Sequence, residues 1–265
     1  MQIFKDSYAC TDENRIMKMA LFSTVGQREE QQDSAGYELK DGEGMVVICD
    51  GMGGHEGGRF ASALAVETLL NGYLETYPVE KIDEMLLEAT IKADELIFGL
   101  KHEDGSDMQC GTTLVAVAIR ENQLYWISAG DSHVYLVRNS EMVQVTEDHI
   151  YQKRLDEMLR EGRMEMEEYE SESDERGEAL VSFLGVGNIS ELDRNEVPFP
   201  LQKGDKVCLC TDGLYKFLPE DEIASVIMNF ASIEETLRAL EQKVSRESKK
   251  REMSRDNMTV ALIQI

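Results

Sequence analysis

Long apolar runs are missing from this chain of 265 residues. No stretch reaches the roughly 18 consecutive apolar residues of a membrane span, so none is expected. The opening Met-Gln-Ile-Phe-Lys-Asp lacks a basic stretch followed by an apolar core, which argues against a secretory signal. Positive charge is scarce: 27 Lys and Arg stand against 52 Asp and Glu, for a formal net charge of −25. Nothing resembles a basic stripe, and a surface this acidic repels nucleic acid while attracting cations. Its bulk acidity also serves solubility. Cysteines number five, an odd count with no Cys-x-x-Cys pair, which argues against a disulfide framework and a zinc site and suggests a reducing, cytoplasmic compartment. Cys49, Cys208 and Cys210 lie in apolar runs and read as small buried hydrophobes, the last two on one side of a strand. Proline occurs only four times, and neither repeat nor low-complexity linker appears, so residues 1–265 read as a single domain.

What is present is a mixture of short β runs and amphipathic helices. β-rich runs fall at residues 16–24, 45–49, 112–119, 123–129, 134–138, 142–145, 206–211 and 258–264. Tight polar connections, Glu121-Asn122 and Asn139-Ser140-Glu141, imply antiparallel neighbours. Residues 57–76 put Phe60, Leu64, Ala65, Leu69 and Tyr73 on one helical face. Residues 80–100 do the same with Ile82, Met85, Leu86, Ala89, Ala93, Leu96, Ile97 and Leu100. The two helices should lie side by side on one sheet. A second pair is expected at 219–229, after a proline suited to a helix start, and at 232–247, opened by the capping box Ser232 to Glu235. The densely acidic segment 147–180 stands apart: Ile150 to Glu161 reads as helical, the rest as a mobile surface excursion. The pattern gives an α+β fold, with antiparallel sheets inside and helices outside.

The informative feature is where certain aspartates fall. Strand 45–49 ends in Asp50-Gly51, strand 124–129 in Gly130-Asp131-Ser132, strand 207–211 in Asp212-Gly213, and Asp256-Asn257 precedes the last strand. A single Asp-Gly is an ordinary turn signal. Several carboxylates at the mouths of apolar strands are partly desolvated and need a cation or donors. Converging, they make an oxygen-rich cage suited to magnesium or manganese. The acidic stretch 170–178 lacks the EF-hand spacing. A strand, glycine-rich turn and helix do follow one another at 45–58, as in a dinucleotide fold. However, the glycines are not spaced Gly-x-Gly-x-x-Gly, Asp50 would repel a pyrophosphate, and no Gly-Lys-Ser/Thr occurs.

These aspartates belong to a longer series of motifs set out in order along the chain. They are Gly26-Gln-Arg28, Gln31-Gln32-Asp33, Asp50-Gly-Met-Gly-Gly-His55 with Ala61-Ser62, and Gly111-Thr-Thr113. Gly130-Asp131-Ser132, Thr146 with Asp148-His149, Leu184-Gly185, Thr211-Asp212-Gly213 and Asp256-Asn257-x-Thr259-Val260 follow. Taken in this order, the motifs resemble the metal-dependent type 2C Ser/Thr protein phosphatases; the Asp-Gly-Met-Gly-Gly-His form looks like the bacterial branch, and the resemblance runs from about Met17 to Ile265. It implies a sandwich of two antiparallel sheets flanked by helix pairs, and hydrolysis of phosphoserine and phosphothreonine by a hydroxide bridging two Mn2+ or Mg2+ ions. By the resemblance Asp50 would bridge the ions, the Gly51 carbonyl would bind one, and Asp212 and Asp256 would complete the other's shell. Asp33 would hold metal-bound water, Asp131 would help bind a third, weaker ion, and Arg28 would grip the phosphate through its planar fork.

The chain departs from the family pattern in several places. Met52 stands where animal members place a candidate acid histidine; His55 is nearby, as a candidate for an acid or substrate role or a helix cap. His133 follows Ser132 where arginine is common, and Gln31-Gln32 replaces the usual Asn-Glu, removing a carboxylate from the metal region. His149 reads as structure near the lid. Segment 147–180 matches the family's variable flap, whose acidity should favour substrates with basic residues near the phosphate. The expected partners are phosphorylated proteins, substrates of a separate Ser/Thr kinase, with the enzyme a monomer. The competing reading is a catalytically weak scaffold of the same fold that binds phosphoproteins; Asp50, Asp212 and Asp256 argue against it.

Overall fold

The computed structural model describes every residue except Met1, Lys5 to Ser7, His55 and Ala231, and of Tyr8 the backbone alone. The candidate role of His55 therefore lies outside the described residues. Two sheets make up the centre, and every pairing in them is antiparallel. One sheet orders β1 (Gln2–Phe4), β4 (Asp33–Lys40), β5 (Glu43–Gly53), β7 (Leu114–Arg120), β8 (Gln123–Ala129) and β11 (Asp193–Arg194). The short strands β6 (Cys110–Thr112) and β12 (Phe199–Pro200) add to β5 and β8. The other sheet orders β10 (Glu141–Gln144), β9 (His133–Arg138), β13 (Lys206–Cys210), β14 (Met258–Gln264), β3 (Lys18–Thr24) and β2 (Tyr8–Glu13).

Period-2 alternation assigns each strand's two faces to different cores. Met45, Val47, Cys49, Leu114, Ala116 and Ala118 point outward onto α1 (Gly57–Glu75) and α2 (Ile82–Phe98). Cys208, Cys210, Val260 and Leu262 point outward on the other side, onto α5 (Asp212–Tyr215), α6 (Glu220–Asn229) and α7 (Ile233–Arg251). The alternate residues, among them Val46, Ile48, Val115, Val117, Val207, Leu209, Ala261 and Ile263, meet between the sheets. This is the expected sandwich with helices outside. The connections Glu121-Asn122 and Asn139-Ser140 both have positive φ throughout, as two-residue hairpin turns require.

Four expectations are corrected. The 45–49 strand does not stop before Asp50: β5 runs on to Gly53, because β4 and β6 keep pairing with it. Phe60 and Leu96, placed on buried faces, are exposed; the inner face of α1 turns to Ala61, Ala65, Val66, Leu69 and Leu70, small enough to seat the helix close to the sheet. Residues 166–176 form a helix, α4 (Met166–Arg176), antiparallel in sequence order to α3 (Tyr151–Arg160) across a short turn. Acidic Glu167 and Glu168 at its start and Arg176 at its end suit the helix dipole, and Arg176 pairs with Glu172 one turn back. The last helix continues to Arg251 rather than 247. Ser232 caps it as read, accepting from Glu235 N at 3.1 Å.

Candidate active site

The inter-sheet core ends in a ring of polar residues, one register step beyond its apolar rows. Met19 and Leu21 lead to Ser23, Val46 and Ile48 to Asp50, and Val207 and Leu209 to Thr211. In the opposite chain direction, Asp33 precedes Ala35 and Tyr37, Thr113 precedes Val115, and Thr259 precedes Ala261 and Ile263. Strand alternation thus aims all six side chains into the mouth of the sandwich. Asp33 and Asp50 are direct partners across the β4–β5 ladder, so two carboxylates leave one face side by side. Like charges so placed repel, and something at the mouth must offset them.

Hydroxyls supply part of the offset. Asp33 is 1% exposed. Its Oδ2 accepts from Thr259 Oγ1 at 2.7 Å and Thr211 Oγ1 at 3.0 Å, while its Oδ1 has no hydrogen-bond partner among the described residues. Thr259 Oγ1 is also 2.9 Å from Ser23 Oγ, which accepts from Gln31 Nε2 at 2.7 Å. Gln31 therefore serves this network. The Asp50 backbone is fixed on both sides: its N–H donates to Thr113 Oγ1, and its carbonyl accepts from Thr113 N and Thr112 Oγ1. Gly51 is required by close approach, since a Cβ there would lie 2.1 Å from the Gly58 carbonyl oxygen at the start of α1. Gly213 is required likewise, against the Asn257 carbonyl.

Three further aspartates stand at the strand ends the sequence indicates. Asp212 opens α5 directly after β13 and Thr211. Its Oδ2 is 2.8 Å from Lys216 Nζ, and its buried Oδ1 has no hydrogen-bond partner among the described residues. Asp256 precedes β14, and its Oδ2 is 2.6 Å from Arg28 Nη2. Arg28 thus pairs with Asp256 rather than with neighbouring Glu29 or Glu30. Its loop lines a cavity of about 370 Å³ together with Glu30, Gln32, Asp256 and Asn257. Asp131 follows Gly130 off β8, and its Oδ2 accepts from Tyr215 OH at 3.2 Å.

Burial and mutual repulsion act on these carboxyls together. Asp33 is pushed up to about 7, first by burial and further by Asp212 and Asp256, against the pull of its two threonine donors. Burial drives Asp50 well above the carboxylate range, with Asp33, Asp212, Asp131 and Asp256 adding to the shift. Asp131 is raised by burial and Asp212, with Lys216 and Tyr215 opposing. Five carboxylates from five chain segments therefore share one field. Among the described residues no three His, Cys, Asp or Glu side chains stand close enough to enclose a metal ion as they lie. Arg28 and Lys216 each draw one carboxylate aside.

Sequence reading passed over several residues that build this site. Thr211, Thr259 and Thr113 were visible as motif letters, and their period-2 phase with the apolar rows was the signal for their inward aim. Asn257 clamps the loop that bears Arg28, and Asp94 on α2, 1% exposed, accepts backbone N–H groups from Gly185, Val186, Gly187 and Ile189. That bond set secures the segment whose Leu184 pairs with Thr112 beside Asp50. No sequence signal marks Asp94, because its partners lie about ninety residues away. Gln32 donates to the Gly53 carbonyl at 3.3 Å. His149 ties the root of the flap to the Asp131 turn: its backbone N–H donates to Gly130 O, its carbonyl accepts from Val181 N, and its Nδ1 accepts from Gly130 N at 3.2 Å.

Comparison with known proteins places this arrangement. The family model described as Protein phosphatase 2C matches residues 23–254. The serine/threonine phosphatase stp of Listeria monocytogenes is 32% identical over 241 residues, covering 89% of this chain and 91% of that protein. The Streptococcus agalactiae serine/threonine phosphatase structure superposes with a TM-score of 0.79 at 28% identity, covering 94% of this chain and 99% of that one. The catalytic domain of the phosphatase PstP, solved with two manganese ions, shares the fold with a TM-score of 0.73 at 24% identity over 94% of this chain and 98% of that one. With most of its length matched and its motif residues gathered at one mouth of the sandwich, the chain belongs to the protein phosphatase 2C family.

Proposed function

We propose that the chain, as one catalytic domain, removes phosphate from phosphoserine and phosphothreonine of other proteins with two divalent ions, manganese or magnesium. The observation that carries this reading is the convergence of Asp33, Asp50, Asp131, Asp212 and Asp256 in one field beside Arg28. The residues fit such ions. All donors are hard oxygens, and the buried oxygens Asp33 Oδ1 and Asp212 Oδ1 lack hydrogen-bond partners among the described residues. The raised proton affinities of Asp33, Asp50 and Asp131 express the same need for positive charge. Asp50, the Gly51 carbonyl, Asp212 through the Oδ1 that Lys216 leaves open, and Asp256 would hold the ions. When bound, two ions would activate a water and neutralise the phosphoryl oxygens.

The chain's own groups have distinct tasks. Asp33, fixed by Thr211 and Thr259, would accept a proton or hydrogen bond from water at the mouth. Arg28 would present its remaining donors to two phosphate oxygens. Its side chain is 58% exposed, so it can meet a phosphate on a protein surface. A partner Ser/Thr kinase and a cytoplasmic setting belong to this reading; among the described residues no helix is long and apolar enough to cross a membrane.

The test is hydrolysis of p-nitrophenyl phosphate and a phosphothreonine peptide with manganese, magnesium or chelator. Turnover should need metal and fall more than about 100-fold in Asp212→Ala, since even outer-shell changes cost 10–100-fold. No turnover by the folded wild type would favour the scaffold reading.

The α3–α4 flap would tune substrate choice. It is joined by polar contacts, with Tyr169 OH donating to Asp156 and Ser173 Oγ to Gln152, and α4 buries no residue. Such an element can shift at low cost, and its acidity suits basic residues flanking the phosphate. Removing residues 163–176 should change peptide preference while leaving p-nitrophenyl phosphate turnover nearly intact; equal loss on both would reject that role.

A further inference from the structure

Lys216 lies one helical turn beyond Asp212, so its ammonium returns to the carboxylate that precedes it on α5. Nζ is 2.8 Å from Asp212 Oδ2 and 3.4 Å from Oε2 of Glu178, at the C-terminal end of the flap. A lysine ammonium is charged at neutral pH without help from its surroundings. A cation therefore stands against Asp212 and Glu178, within the field of Asp131.

Asp131, the residue that the family resemblance assigns to a third ion, is engaged on the same side. Its Oδ2 accepts from Tyr215 OH at 3.2 Å. Tyr215 is held from behind: its ring stacks on His133 with centroids 3.9 Å apart and planes at 16°. His133 is itself fixed, with Nδ1 2.6 Å from Tyr135 OH and Nε2 2.9 Å from Asp148 Oδ1. His133 is also a departure from the family pattern, in which arginine is common at this position. A divalent ion arriving between Asp131 and Asp212 would have to displace both a braced hydroxyl and a lysine of like charge.

We propose that Lys216 takes the place of the third ion: its ammonium, bridging Asp212 toward the flap residue Glu178, supplies that side's positive charge, and the chain holds two divalent ions rather than three. The proposal rests on the two-ion reading given above. Because the charge is covalently attached, its supply does not depend on metal concentration, and it couples the flap's root to the metal centre.

Counting bound manganese tests it directly. Electron paramagnetic resonance of free Mn2+ would be followed as metal is titrated to millimolar levels into the full chain, with circular dichroism confirming the fold of each variant. Wild type should bind two ions. Lys216→Asn, or Lys216→Gln should the first not fold, should gain a third and weaker ion. Adding Asp131→Ala to that variant should remove it again, and Lys216→Arg should stay at two. Three ions in wild type, or no gain on removing the ammonium, would overturn the proposal while leaving the two-ion reading in place. A wild type that binds none would overturn that reading and this inference with it.

Discussion

Asn257 commits its side-chain amide to the backbone of the 25–32 loop. Its Oδ1 accepts from Gln32 N at 2.7 Å, and its Nδ2 donates to Val25 O and Glu30 O at 3.0 Å each. Arg28 lies inside the span these bonds close. No other side chain of Asn257's size offers one acceptor and two donors in a plane, so neither Asp nor Leu can replace it. Asn257→Ala removes three bonds to part-buried backbone groups and should cost about 1–3 kcal/mol, read from urea midpoints at constant slope. It should also weaken inhibition by inorganic phosphate, because Arg28 then samples more positions. Equal phosphate inhibition in variant and wild type would show that Asn257 stabilises the loop without positioning Arg28. The sequence carried this residue only as a letter beside Asp256; that it faces a loop some 230 residues earlier is a fact of the β14–β3 pairing, which one sequence does not disclose.

At the level of elements, legibility followed the strength of the local pattern. The apolar runs β7, β8, β13 and β14 were plain, and so were the hairpin turns, where positive φ selects few residues. β4 was not: Asp33-Ser-Ala-Gly-Tyr-Glu-Leu-Lys40 has poor strand propensity and is held by its neighbours, with Gly36 lying against Val66 and Leu70 of α1. Missing β4 also hid the pairing of Asp33 with Asp50, so the candidate site appeared as scattered strand ends rather than one ring. Tertiary fastening of this kind also holds the far end of β13, where Asp205 is 2% exposed. Its oxygens accept from Arg138 Nε at 3.0 Å and Nη2 at 2.6 Å, and from Gln202 N at 2.7 Å. Burial alone would raise the Asp205 carboxyl; the Arg138 fork and the Gln202 N–H outweigh it and hold it below the ordinary range. A carboxyl depressed in the fold contributes stability above its unfolded pKa of about 3.9 and loses it as pH falls through the lower folded value. Asp205→Asn should therefore cost about 2–4 kcal/mol near neutral pH and flatten the acid limb of the stability curve below about pH 4. Turnover per folded molecule should stay unchanged, because Asp205 and the Thr211 end of β13 are at opposite ends of the strand. An unchanged acid limb would mean that the pair does not supply the shift.

For the whole molecule, the net charge of −25 and the polar ring at the mouth of the sandwich act in the same direction. The surface excess raises the local concentration of cations, while Asp33 and Asp50, forced side by side by the ladder, make the metal-free fold pay most where ions would enter. The apolar rows of the inter-sheet core and the two helix layers supply the stability that tolerates this repulsion. Divalent ions should then stabilise the protein in two separable ways. Sodium chloride can only screen, and it should raise the melting temperature of wild type and Asp50→Ala alike. Manganese at equal ionic strength should add about 2.7 kcal/mol for each site filled at one hundred times its Kd, in wild type alone. Asp50→Ala should be more stable than wild type in chelator, since it removes one of two opposed carboxylates, and less stable in saturating manganese. That crossing of the two melting curves with added metal separates a metal centre from a merely acidic surface. Parallel curves would mean that the ring of carboxylates is offset by its hydroxyls, Arg28 and Lys216 alone, and holds no ion.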